Sequence, residues 1–344
     1  MSIINFQNVP KKDRVEIFQD ITHKTGLPDF AVEKDWWVVQ TLSIIFDMKI
    51  GKHLVFKGGT SLSKAWKLIE RFSEDVDLAV DRSFYGFGGD LSKKQRTKLR
   101  KTASAYISEI FYPELKSKFD EKGLKVDIKI IEPISSDQDP RIIEIYYPNI
   151  IPSPGYIQPR VQVEIGSRSM REPFTVCSFS TLVDEVYPNK FFTQEAIEIP
   201  TVNPERTFLE KIFLLHEEFQ RPAEKIRVNR LSRHLYDIYQ LSKTNFADNA
   251  INDQQLYESI VKHRQIFTRV GGVDYNLHQP KSINPIPNTN LLDDWRADYK
   301  TMQEQMIYGD SPSFEEMLDD LRKYTTKINQ MDWKMENSFP TPKI

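Results

Sequence analysis

The stretch HLVFKGGTSLSKAWKLIERFSEDVDLAVD, from His53 to Asp81, decides the fold. Residues 53–57 form an apolar run that reads as a strand. Gly58 and Gly59 follow, and then two hydroxyls, Thr60 and Ser61. The spacing of Leu62, Ala65, Trp66 and Ile69 predicts a helix over 60–70 with one apolar face. DVDLAV then reads as a second strand. Side chains alternate along a strand, so Asp75 and Asp77 share one face while Val76 and Leu78 turn to the core. Two carboxylates about 4 Å apart repel by about 4 kcal/mol at an effective dielectric near 20. A shared divalent cation turns that cost into binding. Mg²⁺ fits, since one or two carboxylates plus substrate phosphates commonly hold it. A solvated strand edge accommodates the same pair. The Gly58–Ser61 turn offers a backbone cradle for an anion at a helix start. A plain glycine turn, with Thr60 or Ser61 as N-cap, is the alternative.

The 344 residues suffice for one large or two ordinary domains. With 39% hydrophobic and 28% charged residues, the composition is that of a folded, soluble chain. A net charge of −2 creates no global attraction to nucleic acid, so an anionic partner needs a local patch. Cys177 is the only cysteine, which excludes an intrachain disulfide framework. The N-terminal MSIINFQNVPKKDR lacks a leader pattern, and no apolar run is long enough to span a bilayer. The expectation is a cytoplasmic protein without membrane association.

Outward from the central stretch, RVEIFQDITHKTG and FAVEKDWWVVQTLSIIFD read as helices. In the second, Val32, Trp36, Val39 and Ser43 form a stripe that Trp37 and Leu42 widen. SKKQRTKLRKTASAYISEIFYPELKSKF reads as one long helix, basic in its first half. KVDIKIIEPI, RIIEIYYP and RVQVEIGS read as strands, and 152–159, with three prolines and a glycine, as a connecting loop. After EIPTVN the pattern becomes mostly helical to about Ile328, apart from a loop over 271–292. Asn203-Pro204 is a helix-start signal. The predicted class is α+β, with helices and a mixed-sheet core over 1–200 and a mainly helical domain over 201–344.

A strand, Gly-Gly, one helix and then acid–apolar–acid–apolar is the layout of polymerase-β-like nucleotidyltransferases, which use a third acid on a later strand. In RVQVEIGS, Val161, Val163 and Ile165 share one face, which leaves Glu164 beside Gln162 on the other. Glu164 is therefore the candidate third metal ligand, with Glu132 and Glu144 as rivals. On the helix from Pro204, Lys211 flanks the stripe Phe208, Ile212, Leu215 and Phe219, so it must snorkel or meet an anion. Asp237 lies four residues after Arg233, a spacing that also suits an ordinary ion pair. His234 reads as structural. Two basic runs stand out: KKQRTKLRK at 93–101, six cations in nine residues, and Lys225, Arg227, Arg230 and Arg233. Either is a solvated face or a hold on an RNA backbone.

Taken together, FKGGTSLSK and RFSEDVDL resemble the AbiEii/AbiGii-type nucleotidyltransferase toxins. VEKDWWVVQTL, ERTFLEKIFLLHE, RLSRHLYDIYQL and WRADYKTMQEQMIYGDSPSFEEMLDDL are similar to that family's other segments, in the same order. The resemblance implies nucleotide contacts from Gly58, Gly59, Thr60, Ser61 and Ser73 and metal binding by Asp75 and Asp77. It also implies that Lys211 is the lysine of the third motif, holding phosphate, and Asp237 the aspartate of the fourth. It implies transfer of NMP from an NTP with release of pyrophosphate, dependence on Mg²⁺, and an RNA acceptor, foremost the tRNA 3′ end. A cognate antitoxin follows from the same likeness. Nucleotidylation of a protein hydroxyl, or a silent nucleotide- or partner-binding module, are the alternatives.

Overall fold

The computed structural model describes residues 5–73, 75–135, 138–153, 158–168 and 172–341. Part of the expected 152–159 loop, residues 154–157, lies outside them. The chain divides into two compact units: Met1–Trp66 with Phe72–Val202, and Lys67–Arg71 with Asn203–Ile344. The fold is α+β.

Among the described residues, the first unit holds a seven-stranded mixed sheet. Its strands are β1 (Leu54–Lys57), β2 (Asp75–Val80), β3 (Asp127–Ile130), β4 (Arg141–Tyr146), β5 (Arg160–Gly166), β6 (Phe174–Phe179) and β7 (Ile197–Val202). They lie in the order β3-β4-β5-β2-β1-β7-β6. β2 runs antiparallel to β1 and parallel to β5. Its register sets Asp77 beside Lys57 on one side and Glu164 on the other, with Asp75 beside Gln162. The period-two reading of β2 and β5 holds: Val76, Leu78, Val161, Val163 and Ile165 are buried, while Asp75, Asp77, Gln162 and Glu164 are half-buried. β6 and β7 have no counterpart among the strands expected from sequence. Pro200 explains part of this, since proline cannot donate to a ladder and weakens a strand signal. β7 meets β1 at a single register pair, Phe56 with Thr201.

Helices α1 (Lys11–Thr25) and α2 (Asp29–Asp47) pack together, and α2 also packs against β5. α2 is buried nearly all round, not only along the expected stripe. Its charged run is therefore fully employed. Glu33 accepts the amides of Ile150 and Ile151, Lys34 donates to the carbonyl of Gln158 (3.0 Å), and Asp35 pairs with Lys64 (2.8 Å).

The helix expected over 60–70 is shorter and starts earlier. It begins as α3 (Gly58–Thr60) and continues as a wide π turn, Ser61–Ala65. Lys67 then adopts φ +54°, which ends it, and residues 67–71 join the second unit. The long basic helix is α4 (Lys93–Tyr106) and α5 (Tyr112–Glu121), joined by a π turn at Ile107–Phe111. Pro113 sits just beyond that turn. A proline inside a helix removes a donor and crowds the preceding turn, and a widened turn accommodates it. A five-residue helix, α6 (Leu182–Val186), completes this unit.

The second unit is helical: α7 (Pro204–Phe219), α8 (Ser232–Ser242), α9 (Asn245–Asn252), α10 (Gln254–Phe267), α11 (Leu292–Gln305) and α12 (Phe314–Asn329). α7 is its centre and packs on α8, α9 and α10. Its burial extends well past the predicted stripe, to Leu209, Phe213, His216, Glu217 and Glu218. The buried Glu217 is satisfied by both nitrogens of Arg264 (2.6 and 2.7 Å) and lies 3.3 Å from His278. Residues 67–71 are stitched in by a bridge between Arg71 and Ile307 and by the Tyr308 amide donating to the Glu70 carbonyl.

Candidate active site

The first group of site residues surrounds the end of β1. Gly58 has φ +81°, a conformation that favours glycine. A Cβ on Gly58 would stand 2.0 Å from Asp77 Oδ2, so the close approach the glycine permits is that of a carboxylate from the neighbouring strand. Thr60 is buried. Its hydroxyl donates to the carbonyl of Asp75 (2.5 Å) and lies 3.0 Å from Ser73 Oγ. Ser61 is wholly buried and donates its hydroxyl to the Gly58 carbonyl (2.9 Å). These hydroxyls thus serve the turn itself: Thr60 ties the start of β2 to the helix, and Ser61 closes the glycine loop. Gly59 lies within α3 and is half-buried.

The register brings the acids of β2 and β5 onto one face. Asp75 and Asp77 lie two residues apart on β2, and Glu164 is the cross-strand partner of Asp77. Gln162 donates to Glu164 (3.0 Å), which orients that carboxylate. Of the rival acids, Glu144 is buried, paired with Arg160, and accepts the Tyr146 hydroxyl (2.5 Å). Glu132 is exposed and lies beyond the end of β3. Among the described residues no group of three or more His, Cys, Asp or Glu forms a ready-made metal cage. The donor set nevertheless fits a hard cation of the Mg²⁺ kind. It is all oxygen, half-exposed, and centred on two neighbouring carboxylates, and such ions keep positions for water and substrate phosphate.

The second group lies within the helical unit. Asp237, on α8, is completely buried. Arg71 grips it through two hydrogen bonds, Nε to Oδ1 (2.6 Å) and a terminal nitrogen to Oδ2 (2.7 Å). Lys211, on α7, adds an ion pair to Oδ2 at 2.8 Å. Lys211 thus meets an anion and does not snorkel. Its partner is the very aspartate that sequence spacing linked to Arg233. Burial alone would raise the Asp237 pKa, but Arg71 and then Lys211 outweigh it and hold the carboxyl well below the usual range. Lys211 is pushed down, first by burial and then by the nearby Arg71, with Asp237 opposing. His234 is held well below its usual pKa by desolvation first and by Lys211 and Arg233 next, so it stays neutral.

Arg71 is the residue that sequence reasoning passed over. It stands two residues before Ser73, inside RFSEDVDL. The available signal was chemical: an aspartate on a buried helix face demands a cation. The basic run at 225–233 is only partly open. Arg227 bonds both oxygens of Glu218, and the Arg230 amide donates to Asp298 (2.7 Å). Lys225 is exposed and Arg233 half-buried.

This arrangement, a mixed sheet with paired aspartates over a glycine turn, is that of a nucleotidyltransferase core. Residues 42–320 match the family described as nucleotidyl transferase AbiEii toxin, type IV toxin–antitoxin system, and the chain belongs to it. It is thus a nucleotidyltransferase toxin of a type IV system, whose family implies an NTP substrate and an antitoxin partner. No curated protein matches the chain. Among solved structures it is similar to MenT4, a nucleotidyltransferase toxin from Mycobacterium tuberculosis H37Rv. That match has 16% identity and a TM-score of 0.46, and covers 91% of this chain and 97% of that one. It is also similar to JHP933 from Helicobacter pylori, with 14% identity and a TM-score of 0.41, covering 88% and 94%. No helix among the described residues is long and apolar enough to cross a membrane.

Proposed function

We propose that the chain transfers NMP from an NTP to an RNA acceptor, foremost the 3′ end of tRNA, in a Mg²⁺-dependent reaction that releases pyrophosphate. The observation that carries the reading is the shared face of Asp75, Asp77 and Glu164, with Asp77 seated on Gly58. Asp75 and Asp77, with Glu164 as third ligand, would hold Mg²⁺, which supplies charge neutralisation at the phosphates. Gly58, Gly59, Thr60, Ser61 and Ser73 shape the turn that receives the nucleotide, through backbone groups more than through the hydroxyls already engaged. Lys211, steadied by Asp237, offers its ammonium to phosphate oxygens. Lys225, Arg227, Arg230 and Arg233 supply cations for the acceptor.

The test is transfer from each labelled NTP to total RNA and to total protein, with and without Mg²⁺. Labelled RNA that depends on Mg²⁺ supports the reading. Label on protein alone would replace the RNA acceptor with a protein hydroxyl. Absence of label in either, with NTP still bound, would leave only a silent nucleotide-binding module. In cells, expression should arrest growth, and Lys211→Ala or Asp237→Ala should relieve the arrest.

A further inference from the structure

α4 carries six cations and no acid over Lys93–Tyr106. Leu99 and Ala103 are its buried residues and anchor one side. Lys94, Lys98 and Lys101 recur at helical spacing on the opposite side, and all three are exposed. They span about 10 Å of the helix axis. Among the described residues, Lys93, Lys94, Lys98 and Lys101 have no hydrogen-bond or ion-pair partner. Other surface lysines do: Lys24 pairs with Asp20, Lys118 with Glu121, Lys323 with Asp320 and Lys327 with Asp248.

Local energetics oppose this pattern. Lys93, Lys94 and Arg96 crowd the first turn, where the helix dipole disfavours positive charge, and that turn contains no acidic residue. Lys94 with Lys98, and Arg96 with Arg100, are like charges at i,i+4, which also destabilise a helix. A well-formed capping box, with Ser92 and Gln95 bonding reciprocally, keeps the helix start in place despite this. Unpaired lysines held at a local cost mark a surface shaped for an outside anion.

We propose that the exposed face of α4 binds the sugar–phosphate backbone of the RNA acceptor. The proposal rests on the RNA reading above and adds α4 as a backbone contact further to the cations at 225–233. At 225–233, by contrast, Arg227 shares its charge with Glu218, so that cluster holds phosphate less strongly than the lysines of α4. A row of lysines on one helix face grips phosphates without reading bases, so the contact is strongly salt-dependent and indifferent to sequence.

The experiment compares the wild type, the triple variant Lys94→Gln, Lys98→Gln, Lys101→Gln, and a control of equal charge. The control is Lys281→Gln, Lys300→Gln, Lys334→Gln, at exposed positions on other elements. Binding of bulk tRNA is measured across a salt series, beside label transfer from NTP. The log–log salt slope of the α4 variant should be shallower by about two to three units, about 0.7–0.9 for each of the three phosphates no longer neutralised. It should bind tRNA more than about tenfold more weakly at low salt, while the control keeps the wild-type slope. Its melting temperature should not fall. Equal slopes in the α4 variant and the wild type, with RNA still labelled by both, would overturn the α4 assignment and leave the acceptor reading intact. Failure of the wild type to bind or label RNA would overturn both. Equally tight binding of duplex DNA, abolished in the same variant, would overturn the RNA assignment in favour of a general polyanion surface.

Discussion

Asp77 lies over Gly58 so closely that a methyl group on Gly58 would stand 2.0 Å from its carboxylate oxygen. The glycine is at φ +81°, so alanine there is strained as well as obstructed. Gly58→Ala should therefore act on Asp77. A loss of about 1–2 kcal/mol in stability from the backbone is expected. Transfer should fall much further than that stability loss explains, because the carboxylate must move. Wild-type activity in a folded Gly58→Ala protein would show that Asp77 need not occupy this position.

Asp75→Asn and Asp77→Asn test the paired carboxylates. Each substitution removes one of two neighbouring negative charges and so relieves repulsion. Transfer should drop to background in both, with melting temperatures no lower than wild type in the absence of divalent ions. Addition of Mg²⁺ and NTP should raise the melting temperature of the wild type more than that of either variant. Full activity in both variants would end the metal-ligand assignment.

Arg71 is expected to matter beyond its place in a loop. Arg71→Met strands the buried Asp237 with Lys211 alone, and breaking a buried pair costs about 3–5 kcal/mol. Arg71→Lys keeps the charge but loses the two-pronged grip, so it should be milder than Met yet clearly destabilising. Adding both Asp237→Leu and Lys211→Met to Arg71→Met, so that no buried charge of the cluster is left unpaired, should restore much of the stability. Denaturant midpoints of the four proteins decide this, and purely additive losses would contradict it.

His216 gives a pH signature. It is buried on α7, its Nδ1 accepts the Asn284 amide (3.1 Å), and burial above all lowers its pKa from 6.5 to about 3. Below 6.5 the unfolded chain takes up a proton that the folded chain refuses, so stability falls as the pH drops. The slope approaches about 1.4 kcal/mol per pH unit for such a histidine. His234 adds a loss of the same sign. His216→Asn preserves an acceptor near the Nδ1 position and should flatten the decline. An unchanged pH profile of the denaturant midpoint in that variant would count against the histidine's role.

Alternation along strands was the most legible feature of the sequence. It placed Asp75 and Asp77 together and put Glu164 on the outer face of its strand, because period-two burial is a local property. The partner of Asp237 was not legible. Arg71 is 166 residues away, and no helical spacing connects them. The helix expected over 60–70 looked amphipathic through Ile69, yet the chain turns at Lys67 because the second unit claims the residues that follow. β6 and β7 carry a weak strand signal, since a proline interrupts one and polar residues dilute the other. The hydroxyls of Thr60 and Ser61 suggested ligand contacts, but the sequence does not reveal that the turn needs them itself.

Residues 67–71 belong to the second unit although the chain before and after them belongs to the first. The protein therefore cannot be divided by a single cut at residue 202. A fragment ending there would carry Arg71 without Asp237, an arginine whose buried partner is missing. A fragment beginning at Asn203 would carry Asp237 with half its counter-charge gone. On the ribosome the same constraint becomes a matter of timing. The segment just upstream of the paired aspartates must wait for more than a hundred further residues before its partners exist. A toxin arranged in this way stays incomplete at that point until the far end of its chain has been made.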